Sequence, residues 1–207
     1  GSCDNDAACI SVCPFNPTPI EPVKDETALA DIFLIEGTQT HEKLGRLIGI
    51  YAAYSNEFRE TSSSGGIATY VFDQLLDKGI ADHVFSVRSS EVAGEHYQYK
   101  VSSSKADLRD SAKTKYYPVT LATVLPELER LEGKVAIVGV ACFVKAIRLA
   151  QYHEPALKEK IPFVAGIICG GVKSKFFTEY LASKAGANPE KIKHPDFRIK
   201  DVTSTAS

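Results

Sequence analysis

Between residues 134 and 186 the sequence reads strand, helix, strand, helix, and this alternation constrains the fold more than any other feature. KVAIVGV is an unbroken apolar run rich in β-branched residues, and ACFVKAIRLAQ follows it with helical spacing. PFVAGIIC is a second such run, and SKFFTEYLASKAG is a helix closed by Gly186. Strands that are apolar at every position, not at every second one, are covered on both faces, and their alternation with helices makes them parallel neighbours. The expected class is α/β: a mixed or mostly parallel sheet with helices on both faces.

The same grammar begins at residue 47. LIGIYAAY is expected as a strand, SNEFRETSSSGG as a polar turn, and IATYVFDQLLDKG as a helix. In that helix Ile67, Val71, Leu75 and Leu76 recur at helical spacing, and Gly79 ends the run. ADHVFSV and HYQYKV are strand candidates, and TLATVLPELERLEG is a helix that Pro126 kinks or whose start it shifts. With 207 residues, 44% of them hydrophobic, the chain has material for one substantial core. Its 24 basic and 26 acidic side chains are spread along the sequence, which leaves no electrostatic footprint for DNA or RNA. No apolar run reaches the roughly 18 residues of a membrane span.

The first sixteen residues, GSCDNDAACISVCPFN, differ in composition from everything after them. Gly1-Ser2 reads as a tag remnant. Cys3, Cys9 and Cys13 form the pattern C-x5-C-x3-C-P, close to the C-x2-C-x2-C-x3-C-P of bacterial ferredoxin modules, whose thiolates on a tight loop reach the irons of one cubane. Asp6 stands at the second ligand position, where a harder carboxylate oxygen holds iron more weakly than a thiolate. A zinc site, or a vestigial segment that binds nothing, fits the same residues. Pro14, Pro17, Pro19 and Pro22 then space a stretch too proline-rich for a helix. Three units result: a partial ferredoxin-like iron–sulfur segment over 1–16, a Pro-rich linker over 17–46 that leaves this segment poorly anchored, and an α/β domain over 47–207 expected to be truncated at its C-terminus. Crowded cysteines at one end, with Cys142 and Cys169 far away in apolar stretches, suit a reducing, cytoplasmic compartment better than a disulfide framework.

Three further constellations could carry chemistry. Ser62, Ser63, Ser64, Gly65 and Gly66 open a helix, where small residues let the backbone approach a ligand and exposed N–H groups favour an anion. The spacing is neither a dinucleotide fingerprint nor a P-loop, and a plain loop with a capping serine reads equally. Cys142 and Cys169 end two strands, so adjacency would place both thiols at the carboxyl edge of the sheet, where open α/β folds bind ligands. Ordinary buried cysteines are the alternative. Lys113, Lys115, Tyr116 and Tyr117 combine cations with aromatic rings in a loop, as a flavin or a plain solvated surface would accept. The five histidines have no metal-like spacing.

Taken in order, these residues resemble the beta subunits of coenzyme F420 hydrogenases and dehydrogenases: the Cys-Pro module, S-S-G-G-x-x-T at 63–69, S-x-x-[ST]-K-Y at 111–116, a G-[TV]-[PA]-C turn at 139–142, and C-x-G-V-x-S at 169–174. The resemblance implies an iron–sulfur flavoprotein oxidoreductase that passes electrons between a cluster, FAD and a hydride carrier such as coenzyme F420, beside a redox partner protein. It places Ser63, Ser64, Gly65, Gly66, Thr69, Lys115 and Tyr116 around FAD, Cys142 and Cys169 near its reacting part, and Cys3, Asp6, Cys9 and Cys13 on iron. The alternative is a non-catalytic, partner-binding subunit that keeps the fold. Val140-Ala141 and Gly170 depart from the commoner residues of the pattern.

Overall fold

The computed structural model describes residues 8–34 and 36–201. In chain order its elements are α1 (Ala8–Ser11), α2 (Glu26–Phe33), β1 (Gln39–His41), β2 (Gly45–Leu47), α3 (Ile67–Asp77), β3 (His83–Ser89), β4 (Tyr97–Ser102), α4 (Lys105–Ser111), α5 (Val124–Arg130), β5 (Val135–Val140), α6 (Ala141–His153), α7 (Ala156–Lys160), β6 (Phe163–Ile167) and α8 (Lys175–Lys184).

The main sheet has the order β4-β3-β5-β6. β3, β5 and β6 are parallel, and β4 joins the outside of β3 antiparallel. The two apolar runs that the sequence singled out are neighbours, with Ala136 opposite Phe163 and Val140 opposite Ile167, but β6 is an edge strand whose carboxyl end is exposed, so the expected burial holds for β5 and is corrected for β6. Alternate residues of β5 feed opposite faces. Val135 and Ile137 join Phe85, Val124 of α5, Leu128 of α5 and Ile147 of α6 on one side. Ala136 and Val138 join Val84, Phe72, Leu75 and Leu108 beneath α3 and α4 on the other. Helices thus cover both faces, which is why β5 is apolar at every position. No helix among the described residues is long and apolar enough to cross a membrane.

The LIGIYAAY strand does not form. Only Gly45–Leu47 is extended, paired with β1 in a separate two-stranded ribbon, and the chain from 48 to 54 is irregular. Ile48, Ile50, Tyr51 and Tyr54 are exposed. An apolar run without a neighbouring strand to satisfy its N–H and C=O groups has no reason to stay extended. In α5, Pro126 shifts the helix start: it lies in the first turn, where its missing N–H costs nothing.

Residues 17–46 hold more structure than a linker. Asp25 caps α2 by accepting from the Ala28 N–H at 2.9 Å. Leu29 of α2 and Val23 bury against Leu149 of α6, with Val12, Ile32, Phe33 and Tyr152 around them. Burial of each such aliphatic side chain is worth roughly 1.5–3 kcal/mol. Lys145 of α6 pairs with Glu26 at 2.8 Å, and the Arg148 guanidinium lies 4.9 Å from the Phe33 ring centre. Among the described residues, Val12 of the N-terminal segment and the proline-spaced stretch after it pack on α6, in place of the expected loose attachment.

Candidate functional site

At the carboxyl ends of the parallel strands the chain leaves the sheet, and several of the singled-out residues gather there. α3 begins at Gly66, whose φ of 76° is left-handed. A Cβ on Gly66 would lie 2.7 Å from the Phe58 carbonyl carbon, and one on Gly65 would lie 2.8 Å from the Ala53 oxygen. The smallness of both glycines is used by the chain's own 53–59 segment. Thr69 is buried one turn into α3.

The serines before these glycines are differently placed. The Ser63 hydroxyl accepts a hydrogen bond from the Thr114 backbone N–H at 2.9 Å, which ties the Ser-Gly turn to the Lys-Tyr loop. Ser64 is exposed, and its carbonyl accepts from Lys200 at 2.8 Å. Ser62 is buried, and its hydroxyl has no partner. A buried hydroxyl left unpaired is costly and marks a place where a polar ligand would be rewarded.

In the 111–117 loop, Lys113 adopts a φ of 73°, rare for a residue with a side chain. Its amine pairs with Asp196. Lys115 turns inward and donates to the Ser111 and Ala112 carbonyls. Burial holds its pKa down to about 8, against the opposing pull of the Asp196 and Asp110 carboxylates. Tyr116 packs edge-on to Phe197, and Tyr117 to Tyr97, each at 5.8 Å between ring centres. Tyr97 donates to the Pro195 carbonyl, and burial pushes its hydroxyl up to about 12. The segment 194–200 therefore lies over both predicted cofactor loops. Phe197, Asp196 and Lys200 escape a reading of the sequence, since no short motif marks them.

Cys142 is the second residue of α6, directly after β5, and Cys169 follows β6 by two residues. Since Val140 and Ile167 are register partners on parallel strands, both thiols leave the same edge. Both are free. Cys142 is half-buried near Tyr99, whose hydroxyl donates to the Val138 carbonyl at 2.8 Å and whose pKa is raised by burial and by that thiol. Cys169 is exposed and accepts from the Gly171 N–H at 3.3 Å. Ser89, at the carboxyl end of β3, is the register partner of Tyr97, so the Tyr97–Tyr117–Phe197 group shares this edge.

Of the four expected iron ligands, Cys3 and Asp6 lie outside the described residues. Cys9 sits in α1 and Cys13 one turn later, with the Cys13 N–H donating to the Ile10 carbonyl at 3.2 Å. Both thiols are free, a soft-donor pair suited to iron or zinc, and Cys13 lines a small cavity of ≈ 190 Å³ against Lys145, Leu149 and His153 of α6. Among the described residues no group of three or more His, Cys, Asp or Glu converges as a metal site.

The N-terminal model of the coenzyme F420 hydrogenase/dehydrogenase beta subunit matches residues 50–126, and the C-terminal model of the same subunit matches residues 132–206. The coenzyme F420 hydrogenase subunit beta of Methanosarcina barkeri is 28% identical over 138 residues, 61% of this chain and 45% of that protein. A subunit of the F(420)H(2) dehydrogenase of Methanosarcina mazei is 22% identical over 182 residues, 78% of this chain and 51% of that protein. The chain thus spans about half the length of these curated relatives. A chain of the F420-reducing nickel–iron hydrogenase complex from Methanosarcina barkeri superposes with a TM-score of 0.61 at 22% identity, covering 74% of this chain and 56% of that one.

Proposed function

The chain belongs to the family of coenzyme F420 hydrogenase/dehydrogenase beta subunits, and from that premise we propose that it works as the flavin-bearing electron-transfer part of an oxidoreductase. The Ser63–Gly66 turn at the start of α3, the Lys115–Tyr116 loop and Thr69 would hold FAD at the carboxyl edge of the sheet. The observation that carries this reading is the Ser63–Thr114 hydrogen bond, which brings together two loops that the sequence assigns to one cofactor separately. The exposed Ser64 leaves a hydroxyl open to a polar ligand.

When bound, the flavin supplies the exchange of a hydride for single electrons. The chain's own residues do the rest: Lys115 carries a buried positive charge below about pH 8, where it can offset a developing anion. Tyr116 gives a flat, partly open ring. Cys142 and Cys169 face the reacting edge from β5 and β6. Cys3, Asp6, Cys9 and Cys13 would hold an iron–sulfur cluster, and the stretch that follows Cys13 packs on α6 by way of Val23 and Leu29. The hydride carrier is a small molecule such as coenzyme F420, and the electrons pass to a partner protein.

The test is to release the bound chromophore from anaerobically purified protein by denaturation and identify it. FAD at about one per chain supports the reading, and its absence from freshly prepared protein removes it.

A further inference from the structure

An open pocket of ≈ 340 Å³ lies between the 52–54 backbone, the Arg59 turn and the Ser64–Gly65 turn, with Lys200 reaching in from the far end of the chain. We propose that this pocket is a phosphate site, with Arg59 and Lys200 as its cations, seating the phosphate of the flavin nucleotide or of an incoming phosphate-bearing hydride carrier. It rests on the flavin reading above and assigns residues which that reading leaves out.

Four observations converge. The Lys200 amine is anchored on two neutral acceptors, the Arg59 carbonyl at 2.7 Å and the Ser64 carbonyl at 2.8 Å. An ammonium has three donors, so among the described residues one is left over, and two neutral carbonyls do not neutralise the charge. Arg59 lies over the Tyr54 ring at 4.7 Å, and among the described residues neither it nor Lys200 has a carboxylate within ion-pair distance. The nearby carboxylate of Glu57 is engaged by Lys105 at 3.2 Å and Arg109 at 3.0 Å.

The third observation is the floor. Gly65 packs so closely on the Ala53 carbonyl that no side chain fits between them, so the 52–54 and Ser64–Gly65 backbones meet as one continuous wall of the pocket. The fourth is Ser62, which lies in the turn between the two carbonyls that hold Lys200. Its hydroxyl is shielded from solvent and has no partner. A volume of this size is at the lower end of small-molecule pockets, enough for the phosphate-bearing end of a nucleotide and too small for a whole dinucleotide. Two cations lining one open space, neither paired with a carboxylate among the described residues, are what a phosphate oxyanion requires.

The experiment uses the full-length protein and the variants Arg59→Gln and Lys200→Gln, with Lys200→Arg retaining both the charge and the reach to the carbonyls. Affinities are measured for FAD, for riboflavin, which has the ring but no phosphate, and for inorganic pyrophosphate, alongside the KM for coenzyme F420. Loss of one charge-assisted contact is expected to weaken phosphate binding by about ten- to a hundredfold. If FAD weakens by that factor in both Gln variants, riboflavin does not, and Lys200→Arg stays near the parent, the flavin's phosphate is the occupant. If FAD and riboflavin are unmoved while the KM for the carrier rises by that factor at constant kcat, the carrier's phosphate is the occupant. If the parent binds no FAD but binds pyrophosphate, and Arg59→Gln loses it, the flavin reading fails and the phosphate site stands. The proposal is overturned if no phosphate-bearing probe responds to either Gln variant, or if riboflavin falls as far as FAD.

Discussion

The Ser63 hydroxyl accepts the Thr114 backbone N–H at 2.9 Å across 51 residues of sequence, and this bond joins the turn that opens α3 to the loop that carries Lys115 and Tyr116. Neither loop belongs to a sheet ladder, so their spacing depends on this contact and on the 194–200 segment above them. Replacement of Ser63 by Ala removes an acceptor from a partly buried N–H. A loss of about 0.5–1.5 kcal/mol in folding stability is expected, with a larger proportional loss in flavin affinity. Equilibrium urea unfolding and flavin titration measure the two. Unchanged flavin affinity would mean the loops do not act as one site.

Gly66→Ala puts a methyl group on a residue with φ of 76°, facing the Phe58 backbone at 2.7 Å. Both the left-handed backbone and the contact oppose it, and the only relief is movement of the 53–59 segment. Destabilisation of more than about 1 kcal/mol is predicted, with Gly79→Ala, left-handed but in open space, costing less. The two midpoints in one denaturant series decide the matter. Equal losses would show that the close packing of α3 on residues 53–59 is not what Gly66 serves.

Burial lowers the Lys115 pKa from 10.5 to about 8. Below pH 8 the amine is charged in both the folded and unfolded states, and the penalty of burying that charge is fully present. Between about 8 and 10.5 the unfolded chain binds the proton that the folded chain has released, so this residue's contribution to stability improves as pH rises. Relative to Lys115→Met, the parent should gain on the order of 2–3 kcal/mol across that window. Chemical denaturation of both proteins at several pH values gives the difference. A flat difference would place the amine in solvent.

Leu149 is 3% exposed at the contact between α6 and the N-terminal segment. Leu149→Ala is expected to cost about 2–4 kcal/mol and to loosen the seat of Cys9 and Cys13. Iron and sulfide retention should therefore fall while flavin retention holds. Asp6→Cys should act in the other direction, raising iron content after anaerobic reconstitution, because a thiolate is the softer ligand. Iron that is indifferent to both changes would dissociate the cysteine segment from cluster binding.

The central sheet is legible in the sequence because β5 and β6 are unbroken apolar runs that alternate with helices, although only β5 is buried throughout. LIGIYAAY misleads for the opposite reason: its residues suit a strand, yet no neighbouring strand is offered to them, and pairing is not written in a single segment. α2 and α4 are too short to stand out by periodicity, although both carry start signals. Asp25 caps the first, and Ser104 and Asp107 form a reciprocal cap on the second, with the Asp107 N–H donating to Ser104 at 3.2 Å. The Ser-Gly turn and the Lys-Tyr loop are visible as separate motifs. Their contact, and the cover that Asp196, Phe197 and Lys200 provide, depend on a chain reversal that local pattern does not encode.

The decisive measurement is the visible absorption spectrum of anaerobically purified full-length protein during titration with reduced coenzyme F420. Bound oxidised flavin at about one per chain is expected, bleaching as the carrier is oxidised, with the Ser63→Ala protein carrying less of it. A protein that binds no flavin under these conditions, or whose flavin is indifferent to the reduced carrier and to every other hydride donor, would contradict the assignment of this chain as a flavin-bearing electron carrier.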